Sequence, residues 1–196
     1  NNWLLVLSVL SCFGCSSPVH EDDRGCAFVS DSIQYRVEFM SAGCVRILSF
    51  PEGDTLVTRR LVVDSEKPAF KDYKWEDTGQ KLLFRTRELS VVFDKADVAF
   101  TFQETSTGKL LLKEKGDRKA RNFKRSVAGG EQCLEVTQRF VPTEDEAIYG
   151  LGQYQNGIMN YRGKSVLLLQ ANMDIVNPFL ISTNGYGVLW DNYSST

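Results

Sequence analysis

The stretch Ile33-Gln34-Tyr35-Arg36-Val37-Glu38-Phe39 alternates apolar and polar residues without a break. Successive side chains on a strand point to opposite faces, so a period of two sets an apolar face against a polar one. A helix would need its apolar residues at i, i+3 and i+4. The stretch therefore reads as a half-buried β-strand.

The same pattern extends outward. Ser41-Ala42-Gly43 is a short glycine-containing turn, and Cys44-Val45-Arg46-Ile47-Leu48-Ser49-Phe50 follows it as a second strand. Pro51-Glu52-Gly53-Asp54 closes that strand with turn residues. Further strand candidates lie at 81–87, 89–93, 98–102, 110–113 and 134–140. Asp94-Lys95-Ala96-Asp97 and Ser106-Thr107-Gly108 separate some of them. Near the end, Asn177-Pro178-Phe179-Leu180-Ile181-Ser182-Thr183 and Tyr186-Gly187-Val188-Leu189-Trp190 flank Asn184-Gly185. Asn-Gly between such runs signals a hairpin with a type I′ turn, which needs positive φ at both central residues. Strands spaced about 8 to 12 residues apart by turn signals predict an antiparallel sandwich or barrel. The segment 115–131 is basic, poor in apolar residues and carries Gly129-Gly130, so it reads as an exposed loop. No long amphipathic helix or internal repeat stands out. The predicted fold class is all-β.

Composition bounds the chemistry. The chain has 196 residues, 42% hydrophobic and 24% charged, with net charge −2. That is an ordinary globular composition, and it argues against collagen-like, disordered or multi-span membrane chains. A near-neutral charge offers no basic field, so nucleic acid is not an expected partner. His20 is the only histidine, which leaves no multi-histidine metal site and no Ser-His-Asp triad elsewhere in the chain. A (β/α)₈ barrel takes about 250 residues and does not fit.

Trp3-Leu4-Leu5-Val6-Leu7-Ser8-Val9-Leu10 is an apolar run of signal-peptide length; a membrane-spanning helix needs about 20 residues. Val9-Leu10-Ser11-Cys12 resembles a bacterial lipobox, with Gly14-Cys15 as a second possibility. The expectation is export to the bacterial periplasm or outer membrane, with a lipid anchor on Cys12. Cys12-Phe13-Gly14-Cys15 also spells C-x-x-C, but a redox reading needs a βαβ context. Beyond the leader, Cys26, Cys44 and Cys133 allow at most one disulfide. Cys44 and Cys133 are expected to be small buried hydrophobes on strands.

Four other features carry candidate chemistry. Gly150-Leu151-Gly152-Gln153-Tyr154-Gln155-Asn156-Gly157 is glycine-rich, but Gln155 stands where a dinucleotide motif needs glycine. A tight turn is the plainer reading. Glu144, Asp145 and Glu146 form an acidic cluster, expected as a solvated loop. Tyr154, Tyr161 and Trp190 could stack on a sugar ring or serve as core. Asn192-Tyr193-Ser194 fits a glycosylation sequon, discounted because the leader looks bacterial.

Two groups of residues then carry a family resemblance. One is Glu146-Ala147-Ile148-Tyr149-Gly150-Leu151-Gly152-Gln153 with Asn160-Tyr161-Arg162-Gly163. The other is Asn172 to Asn177 with Pro178-Phe179-Leu180-Ile181-Ser182 and Gly185-Tyr186-Gly187-Val188-Leu189-Trp190-Asp191-Asn192. Thr86-Arg87-Glu88-Leu89-Ser90-Val91 and Gly108-Lys109-Leu110-Leu111 also suit it. Together, over about residues 30–196, they resemble the N-terminal domain of glycoside hydrolase family 31, especially bacterial α-xylosidase-like members.

The resemblance implies a galactose-mutarotase-like antiparallel β-sandwich that packs on a following (β/α)₈ barrel. That barrel would carry an aspartate nucleophile and an aspartate acid/base for a retaining mechanism. Neither acid has a matching position here, so no catalytic residue is expected in this chain and no cofactor is implied. The chain divides into a leader and short linker over 1–26 and the sandwich over 27–196, ending before the barrel. A loop of the family's domain shapes the sugar subsite, and Gln170-Ala171-Asn172-Met173-Asp174 matches it best. Some members have an Arg-Asp pair where this sequence has Ala171-Asn172. An asparagine amide can donate to and accept from sugar hydroxyls. The candidate substrate-binding residues are Asn172, then Gln170, with Gln153 and Tyr154 as outer candidates.

The expected function is thus the front part of an exported α-glycosidase acting on an oligosaccharide α-xyloside or α-glucoside. A stand-alone carbohydrate-binding lipoprotein is the alternative. A mutarotase-like epimerase would need histidine and glutamate acid–base chemistry, and His20 lies beside the leader.

Overall fold

The computed structural model describes residues 18–54, 69–116 and 121–191. The leader with Cys12 and Cys15 and the Asn192 sequon lie outside the described residues. Among the described residues every regular element is a strand.

The first sheet runs β1 (His20–Glu21), β2 (Cys26–Ser30), β3 (Ile33–Ser41), β4 (Cys44–Pro51), paired in that order and antiparallel. The second runs β5 (Lys74–Asp77), β6 (Lys81–Arg85), β7 (Leu89–Asp94), β8 (Ala99–Glu104), β9 (Leu110–Lys113), again antiparallel and in chain order. A separate hairpin joins β10 (Arg121–Ala128) to β11 (Glu131–Gln138). A third sheet holds β12 (Ile148–Gln153), β13 (Ile175–Ser182) and β14 (Tyr186–Leu189).

The alternation in β3 does what its period predicts. Tyr35, Val37 and Phe39 are buried. Arg36 and Glu38, on the opposite parity, pair with each other at 2.9 Å on the outer face. The inward residues of β2 and β3 meet those of β6, β7 and β8 in one core with Phe84, Val91, Phe93 and Phe100. Its centre is a ring cluster, with Phe93 4.8 Å from Phe28, 5.1 Å from Tyr35 and 4.9 Å from Phe100. Tilted contacts at such separations suit the ring quadrupoles, and each large side chain adds apolar burial worth about 2 kcal/mol. Two antiparallel sheets packed face to face on this core are the expected β-sandwich.

Three contacts tie the later part of the chain to this sandwich. Arg46 in β4 bridges Glu38 at 3.3 Å and Asp191, just past β14, at 3.2 Å. Lys109 donates to the Asn184 carbonyl at 2.9 Å. Arg125 of the hairpin reaches Asp54 at 3.3 Å. At the other end of the outer charge row, the Arg36 guanidinium holds the Asp22 carboxyl at about 2.

Several expectations are corrected. The segment 115–131, read as a loop, contains β10, because eight registered residues of β11 pair with it. Its polar composition reflects a hairpin open on both faces. Cys44 and Cys133 do lie on strands but are exposed, and Cys26 is the buried cysteine. Cys44 opens β4 directly after a tight turn, and Cys133 sits on the open hairpin. Cys26 shares the core-facing parity with Phe28, and burial pushes its thiol up to about 11. All three are free thiols. The 182–186 connection is a hairpin, but with three loop residues, Ser182 pairing with Tyr186. Gly185 has φ +89, while Asn184 is not in the left-handed region. A type I turn followed by a left-handed glycine fits this loop length, in place of type I′. Asn184 is held there by its amide N–H donating to Ser182 Oγ at 3.0 Å and its side chain donating to Thr143 Oγ1 at 2.7 Å.

Candidate functional site

The site begins with how β12 meets β13. Gly150 and Gly152 have φ +101 and +114, with Leu151 between them at +65. A Cβ on Gly152 would stand 2.0 Å from the Ile175 carbonyl oxygen, and one on Gly150 would stand 2.5 Å from that of Phe179. The register passes from Gly150↔Leu180 to Gly152↔Val176, so β13 carries extra residues around Pro178. Proline lacks the N–H a continuous ladder needs, and bulges are where such residues sit. The glycines therefore allow a close backbone approach, as expected of left-handed positions. They do so inside a bulged strand, where a tight turn was expected.

Beyond the bulge the chain leaves the sheet from 154 to 174 and returns as β13. Tyr154 and Tyr161 open this excursion, edge to face with centroids 6.5 Å apart. Tyr161 is buried, and its amide donates to the Ile148 carbonyl at 2.8 Å. Asn160 Oδ1 accepts from the amides of Ile148 at 3.1 Å and Arg162 at 3.0 Å. The Asn160-Tyr161-Arg162 run thus folds the excursion back on β12.

At the far end lies the turn 171–174. Ala171 and Asp174 form an isolated bridge, the Asp174 amide donating to the Ala171 carbonyl at 3.3 Å. Met173 takes φ +75, a conformation that costs a side-chain-bearing residue about 1 kcal/mol. Gln170 braces the turn. Its Nε2 donates to the Asp174 carbonyl at 2.7 Å, and its Oε1 accepts from the Val176 amide at 3.1 Å. Asn172 stands exposed at the tip.

The four candidate residues are brought into one region, in different ways. Gln170 has both ends of its amide engaged by backbone. Asn172 presents its amide outward. Tyr154 is half-buried between two open hollows of about 270 and 260 Å³. The first is lined by Asn156, Ser165, Leu167 and Asp174 among others, the second by Tyr149, Gln153, Met159 and Tyr161 among others. The Tyr154 hydroxyl is shielded from solvent with no hydrogen-bond partner. Trp190, the other aromatic candidate, is half-buried and its indole N–H is likewise without a partner.

One polar centre was not anticipated. Glu144 and Asp145 are exposed as a solvated loop should be, but Glu146 is buried. Its carboxylate accepts from Ser182 Oγ at 2.5 Å, from the Tyr186 hydroxyl, and from the Thr143 amide at 3.0 Å. Arg162 donates to the carbonyls of Thr143 at 2.5 Å and Glu146 at 2.9 Å. Burial alone would raise the carboxyl; these hydrogen bonds and the Arg162 charge outweigh it and hold Glu146 below the ordinary glutamate value. Burial and the Glu146 charge raise Tyr186. A saturated centre of this kind locks the β13–β14 hairpin to the 143–146 segment. Its only trace in the sequence is that Glu146 stands two residues before the start of β12.

Two packed antiparallel sheets, a third sheet and a braced surface turn define an all-β sandwich module. Residues 34–196 match the model of the glycosyl hydrolase 31 N-terminal galactose mutarotase-like domain, and the chain belongs to that family. It is 34% identical over 178 residues to an α-xylosidase of Saccharolobus solfataricus, covering 83% of this chain and 23% of that protein. A crystal structure of the GH31 α-xylosidase from Xanthomonas citri superposes with TM-score 0.77 at 31% identity, over 90% of this chain and 19% of that one. A GH31 α-xylosidase from a soil metagenome, solved with xylose, superposes with TM-score 0.72 at 24% identity and bears on the fold alone. The chain spans less than a quarter of the length of these α-xylosidases from Saccharolobus and Xanthomonas.

Proposed function

We propose that this chain is the N-terminal part of an exported retaining α-glycosidase of the α-xylosidase type. In this reading the sandwich, over about 27–196, supports a catalytic barrel borne elsewhere in the polypeptide. The turn 171–174 reaches the barrel's sugar site. The observation that carries the reading is the 34% identity to an α-xylosidase over most of this chain. Asn172 is the contact residue, an amide able to pair with sugar hydroxyls in both directions. Gln170 holds the turn through its two backbone hydrogen bonds. Gln153 and the half-buried Tyr154 line the outer edge. The two catalytic carboxyl groups of the barrel would stand about 5–5.5 Å apart, as retention requires. The leader would carry the protein out of the cytoplasm, with Cys12 as the lipid-bearing residue.

The full-length protein is expected to hydrolyse p-nitrophenyl α-xyloside, and the 196-residue chain alone to leave it untouched. In the full-length protein, Asn172→Ala lowers kcat/KM about tenfold, the worth of about one sugar hydrogen bond. Unchanged kinetics would remove the turn from the substrate site. Turnover by the isolated chain would put the chemistry in the wrong place.

A further inference from the structure

Two asparagines of the chain directly precede glycine, in Asn156-Gly157 and Asn184-Gly185. Asparagine amides are among the thermolabile groups of proteins. Before glycine no side chain shields the next backbone nitrogen, so that nitrogen can reach the asparagine Cγ. The fold treats the two pairs differently. Asn184 is half-buried and tied on three sides. Its Nδ2 donates to Thr143 Oγ1 at 2.7 Å, its amide N–H donates to Ser182 Oγ at 3.0 Å, and its carbonyl accepts from Lys109 Nζ at 2.9 Å. The Gly185 amide, the group that would attack, donates to the Ser182 carbonyl at 3.1 Å.

Asn156 is exposed, just past the point where the chain leaves β12. Its Oδ1 accepts from the Ile158 amide at 2.9 Å. Such an Asx turn folds the side chain back across the Asn156–Gly157 peptide. The same N–H is placed to stabilise the negative charge that collects on Oδ1 when Cγ is attacked, as a one-donor oxyanion hole does. Gly157 has φ +68, and no heavy atom lies within 4 Å of where its Cβ would stand, so the approach has room. Among the described residues no partner holds the Asn156 Nδ2, in contrast to that of Asn184.

We propose that Asn156 is a self-modification site of the folded protein, converting to aspartate and isoaspartate, while Asn184 is kept intact by its hydrogen bonds. The Gly157 nitrogen bonds to Asn156 Cγ and gives up its proton. The Cγ–Nδ2 bond breaks, and ammonia leaves with that proton. A succinimide ring remains, and water adds to either of its carbonyls, opening it to aspartate or isoaspartate. One water is consumed for each ammonia released, and no oxidant or cofactor takes part. The product stands in a sensitive place. Asn156 lines the first hollow beside Tyr154, and Asp174 lines the same hollow. Conversion sets a second carboxylate there, and isoaspartate also lengthens the main chain by one carbon ahead of the Asn160-Tyr161-Arg162 fold-back. The charge of the hollow then records the age of the molecule. None of this depends on the glycosidase reading.

The full-length protein, aged at mildly alkaline pH, digested with trypsin and followed by peptide mass spectrometry, tests this directly. Cleavage after Arg162 and Lys164 parts the two asparagines into different peptides. In the native protein Asn156 should convert about thirtyfold faster than Asn184, which must first break two hydrogen bonds of ordinary strength. Unfolded in guanidinium chloride, the two should convert within about threefold of each other, because the native contacts that separate them are gone. Thr143→Val removes the acceptor for Asn184 Nδ2 and keeps the branched shape; it should speed Asn184 about fivefold and leave Asn156 unchanged. Equal native rates, or a faster Asn184, overturn the proposal. So does an Asn156 that keeps its amide in the native protein while reacting in guanidinium. So does a folded Thr143→Val protein in which Asn184 is no faster than before.

Discussion

Glu146 shows how much a single side chain can organise. It collects hydrogen bonds from a strand hydroxyl, a phenol and a backbone amide, drawn from β13, β14 and the preceding loop. Its carboxyl sits below the ordinary glutamate value, so protons favour the unfolded chain. The stabilisation is complete above the ordinary glutamate range and is lost as acid carries the pH down through the lowered native value. Glu146→Gln should therefore cost about 2 kcal/mol near neutrality, the worth of charge-assisted hydrogen bonds. Urea titrations of both proteins should show that gap narrowing as the pH falls below the glutamate range. A gap of constant size from neutral to acid would mean that the charge is not what stabilises. Met173 is a second residue under local constraint, at φ +75 where glycine is the easy occupant. Met173→Gly should leave stability unchanged or raise it by up to about 1 kcal/mol, read from the urea midpoint. A clear loss would show that the methionine side chain, exposed as it is, holds the turn.

At the scale of elements, the β12–β13 bulge is the least forgiving join. Gly152→Ala puts a methyl group on the Ile175 carbonyl at a φ that alanine avoids. About 3 kcal/mol of destabilisation follows from strain and clash together. Gly53→Ala is the control, since it has positive φ but open space, and should cost about 1 kcal/mol. Equal losses at the two positions would refute the close approach. These elements also mark where sequence reading succeeds. The strands facing the core on one side, such as β3 and β7, announce themselves by alternation, because burial on one face only is what a period of two encodes. β10 was hidden because neither of its faces is buried, so its residues were free to be polar. β12 was hidden because Gly-Leu-Gly looks like a turn until its partner strand is known. In the candidate site, the turn 171–174 was found through likeness to a family. The double use of the Gln170 amide depends on the shape of its own turn, and the burial of Glu146 on Ser182 and Tyr186, far along the chain, which no local pattern brings together.

At the scale of the molecule, one ion pair spans most of the sequence. Arg46 in the first sheet joins Glu38 and the distant Asp191, and all three are largely shielded from water. Removing the arginine takes a shielded positive charge from between two carboxylates, Glu38 keeping Arg36 as its other partner. Arg46→Met should cost about 3 kcal/mol, and hydrogen exchange should rise in β14 and the end of β13 more than in β7. Uniform change across the sheets would mean that the pair holds nothing in place.

Among the described residues every strand is paired with its neighbour in the sequence, from β1 through β4, β5 through β9, β10 with β11, and β12 through β14, and none waits for a distant partner. Such a meander can zip up hairpin by hairpin while the ribosome is still working, at about 5–20 residues per second. Of these sheets, the sealed core with its charged borders leaves the ribosome before the sheet whose borders carry no charge. The order of synthesis thus lets the sandwich close before that stickier sheet is exposed, a form of protection written in chain order and independent of any side chain.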